Sequence, residues 1–385
     1  KALVVYNNAL NATRGRLHHA APKASAEDEG TAHAMPALQQ ELGPEAGLGQ
    51  FCRFRTLQGD EHLLHIDQLA DGLEMHLNGY EHRVFLDFRM LDDRDGAWLA
   101  LHQKLRGQTV DDLDRELLRL RHQPLWQTLA GLLDPQRLHV LTGSLGAVPQ
   151  PKPVRATIKR LLGELDALAA ELRIAANLPS PQPPPGAPDS FVAKLPGWLA
   201  GIAKAEMPEQ LLSDMWQGKR DRHGLGPALL SWLLLHDLGQ RLGLENDGQC
   251  LDLLRRFGLD FAWRESASSP AQTTDVFLGM LLLQTTARPQ HPATSDELFA
   301  ELFTDPQNAG LLGINHHAGQ SWFSREGLAA LAGAVALQAA LMHRASPSSI
   351  EEPDSMAALS AERLRERLAR AAAVGYRLDK FLHLE

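Results

Sequence analysis

The period of the hydrophobic pattern changes once along this chain, near Asp95. Before that point Leu73, Met75 and Leu77 alternate with Glu74, His76 and Asn78, the period-two signature of a strand with one apolar face. Asn78-Gly79-Tyr80-Glu81 follows, after which Val84, Leu86, Phe88 and Met90 share one face of a second strand. Asn-Gly between two alternating runs predicts a β-hairpin over Leu73–Leu91. The opening run Ala2-Leu3-Val4-Val5-Tyr6, ended by the turn-forming pair Asn7-Asn8, reads as a further strand, and that hairpin is its best partner in the sequence. A strand placed so early needs partners from elsewhere, and the expectation is a β-domain boundary within a longer protein. Gln50–Leu57 and His62–Ile66 are shorter strand candidates. The polar stretch Gly15–Gly49 reads as a long excursion or disordered loop.

After Asp95 the spacing becomes helical. Val110, Leu113, Leu117 and Leu120 form one apolar stripe, with Thr109 and Asp112 as its capping pair. Val154, Ile158, Leu161, Leu165, Leu168 and Leu172 form a longer one. The segment Leu178–Pro188 breaks the pattern, because proline fixes φ and removes backbone donors. Helical spacing resumes over Trp198–Trp216, Gly226–Leu242, Gln249–Phe257, Thr274–Thr286, Ser295–Thr304, Ser324–His343 and Ala357–Val374, with a polar insert at Ala345–Ser355. The fold class expected is α+β, mostly α: an antiparallel, sandwich-like β module over 1–94, a helical segment over 95–178, a Pro-rich linker over 179–188 and a helical domain over 189–385. No catalytic barrel fits this pattern.

Composition adds limits. A chain of 385 residues with 44% hydrophobic and 22% charged content is long enough to bury a substantial core. A net charge of −9 argues against a basic nucleic-acid footprint. Leu225–Leu235 and Gly327–Met342 are the most apolar stretches, and both fall short of the roughly 20 residues that span a bilayer, so they read as core helices and no membrane contact is expected. Cys52 and Cys250 supply neither a disulfide framework nor a CxxC metal pair, and read as small buried hydrophobes. Their scarcity fits a reducing compartment and favours the cytoplasm. No cofactor is expected.

Three segments carry candidate chemistry. Gly375-Tyr376-Arg377-Leu378-Asp379-Lys380-Phe381-Leu382-His383 resembles the α-amylase-family segment that holds the catalytic nucleophile, with Asp379 in that position. A helical pattern (Leu364, Leu368, Ala372) precedes it here, and glycoside hydrolysis needs two carboxylates across the scissile bond. The segment therefore reads as a terminal helical turn packed by Leu378, Phe381 and Leu382, and no catalytic residue is assigned. His236-Asp237 looks like the metal-binding core of HD phosphohydrolases, with His223 the nearest upstream ligand candidate; the bland reading is a polar end to a Leu-rich helix. Gly313-Ile314-Asn315-His316-His317-Ala318-Gly319-Gln320-Ser321-Trp322-Phe323 reads as a tight loop before a helix starting at Ser324. Its adjacent histidines diverge on most backbones and make a poor chelating pair, but Asn315, His316, His317 and Trp322 together offer hydrogen bonds and a stacking surface for a sugar. The bland alternative is a structural loop anchored by Trp322. Among the seven tryptophans, Trp98, Trp126, Trp198, Trp216, Trp232, Trp263 and Trp322, core packing is the default role. No G-x-S-x-G elbow, Walker loop or dinucleotide fingerprint is present.

Taken in order, several segments resemble the post-barrel, C-terminal region of bacterial α-amylase-family glycosidases (glycoside hydrolase family thirteen). Ala2–Asn8 with Thr13-Arg14-Gly15 is similar to the stretch after their barrel. Gly72–Leu77, Tyr80-Glu81 and His82–Arg89 resemble the last strands of their β domain. Gly313-Ile314-Asn315 with Trp322-Phe323 and Glu326 is similar to a loop in their helical tail, although His316-His317 stands where an acidic–aromatic pair is expected. The resemblance implies a non-catalytic region that braces the catalytic barrel of the same polypeptide and contacts α-glucan, within a parent enzyme that acts on α-glucans by a retaining mechanism. Competing readings are an HD-type metal-dependent phosphohydrolase centred on His236-Asp237 and a stand-alone helical scaffold or interaction module.

Overall fold

A computed structural model describes residues 1–21, 35, 37–42, 50–145, 152–179, 226–244, 247–286, 296–329, 331, 335, 362–363 and 366–382. The chain divides into two compact units, Lys1–Gln123 and Pro124–Glu385. Most of its described structure is helical and its larger sheets are N-terminal, so the class is α+β, mostly α. The strands of the described residues form open antiparallel sheets, with no closed barrel.

The first unit holds strands β1 (Ala2–Tyr6), β2 (Thr13–Leu17), β3 (Phe51–Thr56), β4 (Glu61–His65), β5 (Leu73–Leu77) and β6 (His82–Leu91), with short helices α1 (Leu38–Leu42) and α2 (Ile66–Ala70). Strands β1-β6-β3-β4, in that order, make a four-stranded sheet, and β2-β5 make a two-stranded one. The hairpin expected over Leu73–Leu91 is therefore not formed: β6 pairs with β1 and β3, and β5 pairs with β2. Instead, β1–β2 and β5–β6 are the two legs of one antiparallel ribbon that bends from one sheet into the other, with residues 7–12 beside residues 78–81.

The bend has specific supports. Asn7 donates through Nδ2 to the carbonyls of Asn11 (2.7 Å) and Asn78 (3.0 Å), and its Oδ1 accepts from Ala9 N–H (3.1 Å). Gly79 passes so close to the Leu10 carbonyl that a Cβ would overlap it, and Tyr80 takes φ 58°. Asn78-Gly79 is thus a turn signal correctly placed, but the turn leads across the sandwich rather than back along the same sheet. Leu17, Leu73 and Met75 of the small sheet consequently meet Cys52, Phe54, Phe85 and Phe88 of the large one in a single core.

The apolar phase expected for β6 is also changed. Arg53 pairs with Arg89 but Arg55 with Leu86, and Asp87 between them adopts φ 58°. This bulge inserts one extra residue and rotates the strand. Phe85 and Phe88 both enter the core, at 4% and 8% exposure, in place of an unbroken Val84, Leu86, Phe88, Met90 face. Asp tolerates the left-handed region better than most residues. Arg55 Nε donates to the Asp87 carboxylate at 2.6 Å, which holds that carboxyl below its usual range.

Part of the expected excursion Gly15–Gly49 is ordered. Residues 15–17 belong to β2, and α1 buries Leu38 and Leu42, with Leu38 N–H bonded to the His18 carbonyl at 2.8 Å. The remainder of that stretch lies largely outside the described residues.

Helices α3 (Ala97–Leu105) and α4 (Leu113–Arg121) belong to this unit, so the division expected after residue 94 falls within it. Trp98, Leu101, Leu105, Leu113 and Leu117 pack on Phe51, Leu63 and Leu91, which cover the β3–β4 side of the sheet's outer face. Asp112, not Thr109, caps α4 by accepting Arg115 N–H at 3.0 Å. Val110 stands apart from the helix because it forms a β-bridge with Glu61. The β1 side of the same outer face is bare among the described residues: Val4 is 58% and Tyr6 69% exposed, beside Leu10 and Tyr80 at the bend, 77% and 69% exposed.

The second unit contains α5 (Gln123–Leu132), whose first residue lies at the divide, α6 (Pro135–Leu145), α7 (Lys152–Ala176), α8 (Gly226–Leu242), α9 (Asp247–Arg256), α10 (Leu259–Glu265), α11 (Pro270–Thr286), α12 (Asp296–Thr304), α13 (Ala309–Leu312) and α14 (Leu378–Leu382). Its main core joins Leu161, Leu165, Leu168 and Leu172 of α7 to Trp232–Leu235 of α8 and to α11. A second core gathers Phe299, Phe303, Leu312, Phe323 and Phe381. Helix α11 serves both: Leu281 belongs to the second core, whereas Leu282 and Leu283 belong to the first. Trp98, Trp126, Trp232 and Trp263 are all core residues, as the default reading has it. The segments expected at 180–188, Trp198–Trp216 and Ala345–Ser355 lie outside the described residues, as do parts of the last two expected helices.

Candidate functional site

The segment expected as a loop over 313–323 folds as a small β-hairpin, β7 (Asn315–His317) against β8 (Gln320–Trp322). Gly313 ends α13 at φ 61°, where a Cβ would stand 2.8 Å from that of Ser324. Ser324 N–H donates to the Leu312 carbonyl (2.8 Å), and Ser324 Oγ accepts Gly327 N–H (2.8 Å) to cap the helical turn at 325–329. Ala318 and Gly319, at φ 48° and 73°, make the tight turn. Two successive positive φ values match the twist of a two-residue hairpin.

The register decides what the four candidate residues can do together. Asn315 pairs with Trp322, His316 with Ser321, and His317 with Gln320. Because neighbours on a strand alternate sides, Asn315, His317, Gln320 and Trp322 share one face and His316 lies on the other. His316 Nδ1 is 2.8 Å from Ser321 Oγ, and Asn315 Nδ2 reaches the Gly313 carbonyl at 3.4 Å. Asn315, His316, His317 and Gln320 are exposed, and Trp322 is half-buried. The shared face thus offers amide and imidazole groups beside one aromatic side, and the two histidines do not converge on a common ligand.

The hairpin is fixed at its base. Phe323 N–H donates to the Tyr376 carbonyl at 3.0 Å, and Trp322 forms a bridge with Arg377. Phe323 is buried with ring centroids 4.9 Å from Phe303, 5.0 Å from Phe381 and 5.7 Å from Tyr376. The Gly375–His383 motif, described as far as residue 382, is therefore a buttress for this hairpin. Leu378 and Leu382 pack around Phe381 in the second core. Asp379 is bonded to Arg377 at 2.6 and 3.2 Å, and that guanidinium holds its carboxyl below the usual range.

His236 and Asp237 lie on α8. Asp237 is buried and accepts Arg241 Nε at 3.0 Å, and Arg241 also bonds Asp166. His236 is 3.0 Å from the Gln240 amide, one turn along. Both candidate ligands are thus engaged by their own helix, and His223 lies outside the described residues. Among the described residues, no three His, Cys, Asp or Glu side chains gather as a metal site requires.

Sequence reasoning missed a cleft of about 810 Å³ in the first unit. It opens beside the small sheet and is lined by Arg16, Phe54, His62, Leu73, Arg83 and Phe85, among others. These residues are widely spaced in the chain and meet only through the fold of the ribbon, so no local signal marked them. No family model, curated protein or solved structure matches this chain. Among the described residues no helix is long and apolar enough to cross a membrane.

Proposed function

We propose that this chain is a non-catalytic, post-barrel region of an α-amylase-like glycosidase, whose β module braces the catalytic barrel and whose helical unit presents a glucan-contact hairpin. The observation that carries the bracing role is the half-covered outer face of the large sheet. Helices α3 and α4 bury its β3–β4 side, whereas Val4 and Tyr6 of β1 stand open beside Leu10 and Tyr80. Exposed apolar side chains on a sheet face that is covered elsewhere support reading that face as a packing surface. The sequence resemblance names the packed body as the barrel of the same polypeptide.

Support for the glucan contact comes from the shared face of Asn315, His317, Gln320 and Trp322, where polar edges flank an aromatic side. A sugar ring needs that combination of hydrogen bonding and stacking. The reading assigns no catalytic role to Asp379.

The test uses the barrel-containing polypeptide with Val4→Asp and Tyr6→Asp together. The expected result is a lower melting temperature and faster proteolysis of the barrel, with the isolated chain unaffected because both residues are exposed in it. Unchanged barrel stability would remove the bracing role. The isolated chain is expected to turn over neither soluble starch nor maltooligosaccharides; turnover abolished by Asp379→Asn would overturn the non-catalytic assignment. Affinity electrophoresis on soluble starch, with Trp322→Ala as the variant, tests the hairpin: retardation lost on substitution supports the contact, and equal mobility with and without starch rejects it.

A further inference from the structure

The inner face of the large sheet carries an aromatic ladder that stops at the sheet edge. Phe88 of β6 stacks on Phe54 of β3, with ring centroids 4.7 Å apart and planes 17° apart. Phe54 stacks in turn on His62 of β4, again at 4.7 Å, with planes 8° apart. Phe85 meets His62 edge-on, at 5.8 Å and 80°. One face of the imidazole is therefore covered by Phe54, and His62 lines the cleft where the ladder ends. Burial lowers the His62 pKa from its ordinary value, with the Asp60 charge opposing the shift and the Arg83 charge adding to it, so its surroundings favour the neutral imidazole.

The charges around the cleft are unevenly committed. Glu74 is held by Arg14 at 2.5 Å, and Glu81 accepts Arg83 Nε at 3.1 Å and the Asn78 backbone and side-chain amides at 2.8 and 2.9 Å. Asp71 is the other acidic group in the lining. On the basic side, Arg83 uses only Nε, and Arg16, which stands directly opposite Glu74 in the small sheet and lowers that carboxyl through its charge, makes no hydrogen bond or ion pair among the described residues. Two guanidiniums, one from each sheet, thus line the cleft with donors to spare. Guanidinium donors match a carboxylate in geometry and charge, and a cleft of this volume with an aromatic floor suits a small organic ligand.

We propose that this cleft binds a small planar aromatic carboxylate, its ring taking the next place in the ladder over His62 and its carboxylate drawn to Arg83 and Arg16. This inference is independent of any glycosidase assignment, since it uses no residue of the 315–322 hairpin and none of the exposed residues of β1.

Isothermal titration of the full chain with 2-naphthoate, 2-naphthamide and maltose tests it. Saturable one-to-one binding of 2-naphthoate is expected, at least tenfold tighter than the uncharged amide, with no competition from maltose. Arg83→Gln and Arg16→Gln should each remove most of the preference for the acid, and His62→Ala should weaken both aromatic ligands about equally. Arg16 is exposed, so its substitution leaves the fold intact and keeps the charge test readable if the His62 variant fails to fold. Absence of saturable binding, equal affinity for acid and amide, or displacement by maltose would overturn the proposal.

Discussion

Asn7 is the residue on which the bent ribbon most directly depends. It is 9% exposed and its side chain makes three hydrogen bonds, two donated to carbonyls on opposite legs and one accepted from Ala9. A typical net contribution of about 1 kcal/mol per bond, together with the cost of leaving carbonyls unsatisfied, puts Asn7→Ala at roughly 2–4 kcal/mol. For a unit of this size about 4 °C of melting temperature accompanies each kcal/mol, so the first unit should melt roughly 8–16 °C lower. Hydrogen exchange read by mass spectrometry resolves the effect by segment. Protection should fall in residues 1–17 and 73–86, while 226–242 and 270–286 of the second unit keep theirs. Asn7→Asp is the informative companion: it keeps the acceptor for Ala9 but sets a carboxylate against the Asn11 and Asn78 carbonyls, and should be no less damaging than alanine. A stability change under about 0.5 kcal/mol, or an aspartate variant as stable as the parent, would refute the role assigned to these bonds.

Three further outcomes are expected. Phe323→Ala, which empties the centre of the Phe303–Tyr376–Phe381 cluster, should cost about 3–5 kcal/mol and expose the amides of 315–322 and 371–382 to exchange; a cost under about 1 kcal/mol would contradict the anchoring role. His62 has a folded pKa below its unfolded value, so the unfolded chain binds the proton first: the stability contribution is complete above about pH 6.5 and is lost as pH falls from there through the folded value, and His62→Phe should flatten this part of the acid limb in urea titrations. Cys52, its thiol pushed up to about 11 by burial, and the buried Cys250 should resist iodoacetamide in the native chain at pH 8 and react in urea; rapid native labelling would disprove their burial.

What was legible in the sequence follows from how local each signal is. Helix α8 has the bounds its apolar run predicts, because a helix closes its hydrogen bonds within the segment itself. Strands β3 and β4 were legible for a related reason, since the short connection between them leaves little choice of partner. The partner of β5 was not legible: alternation shows that a strand has two faces, but not which other strand completes its ladder. The phase of β6 turned on one residue, Asp87, taking a left-handed conformation that alternation alone does not foresee. The candidate residues at 315–322 were found through their chemistry, whereas their division between two faces needed the hairpin register. The cleft was invisible for the opposite reason, since Arg16, His62 and Arg83 become neighbours only after the ribbon folds.

Helix α11 carries a consequence for how the second unit comes apart. Adjacent residues Leu281 and Leu282 point into different cores, so the helix is a wall common to two rooms. Gly279 tightens the arrangement further, since a Cβ there would stand 2.7 Å from the Trp263 ring and even closer to Ser231 Oγ. Neither core can open without stripping apolar surface that the other relies on, so the aromatic cluster beneath the hairpin and the leucine-rich core around Trp232 share one melting cooperativity. A hairpin at the surface is in this way held by the free energy of an entire helical unit, and its rigidity is set many residues away from the side chains it presents.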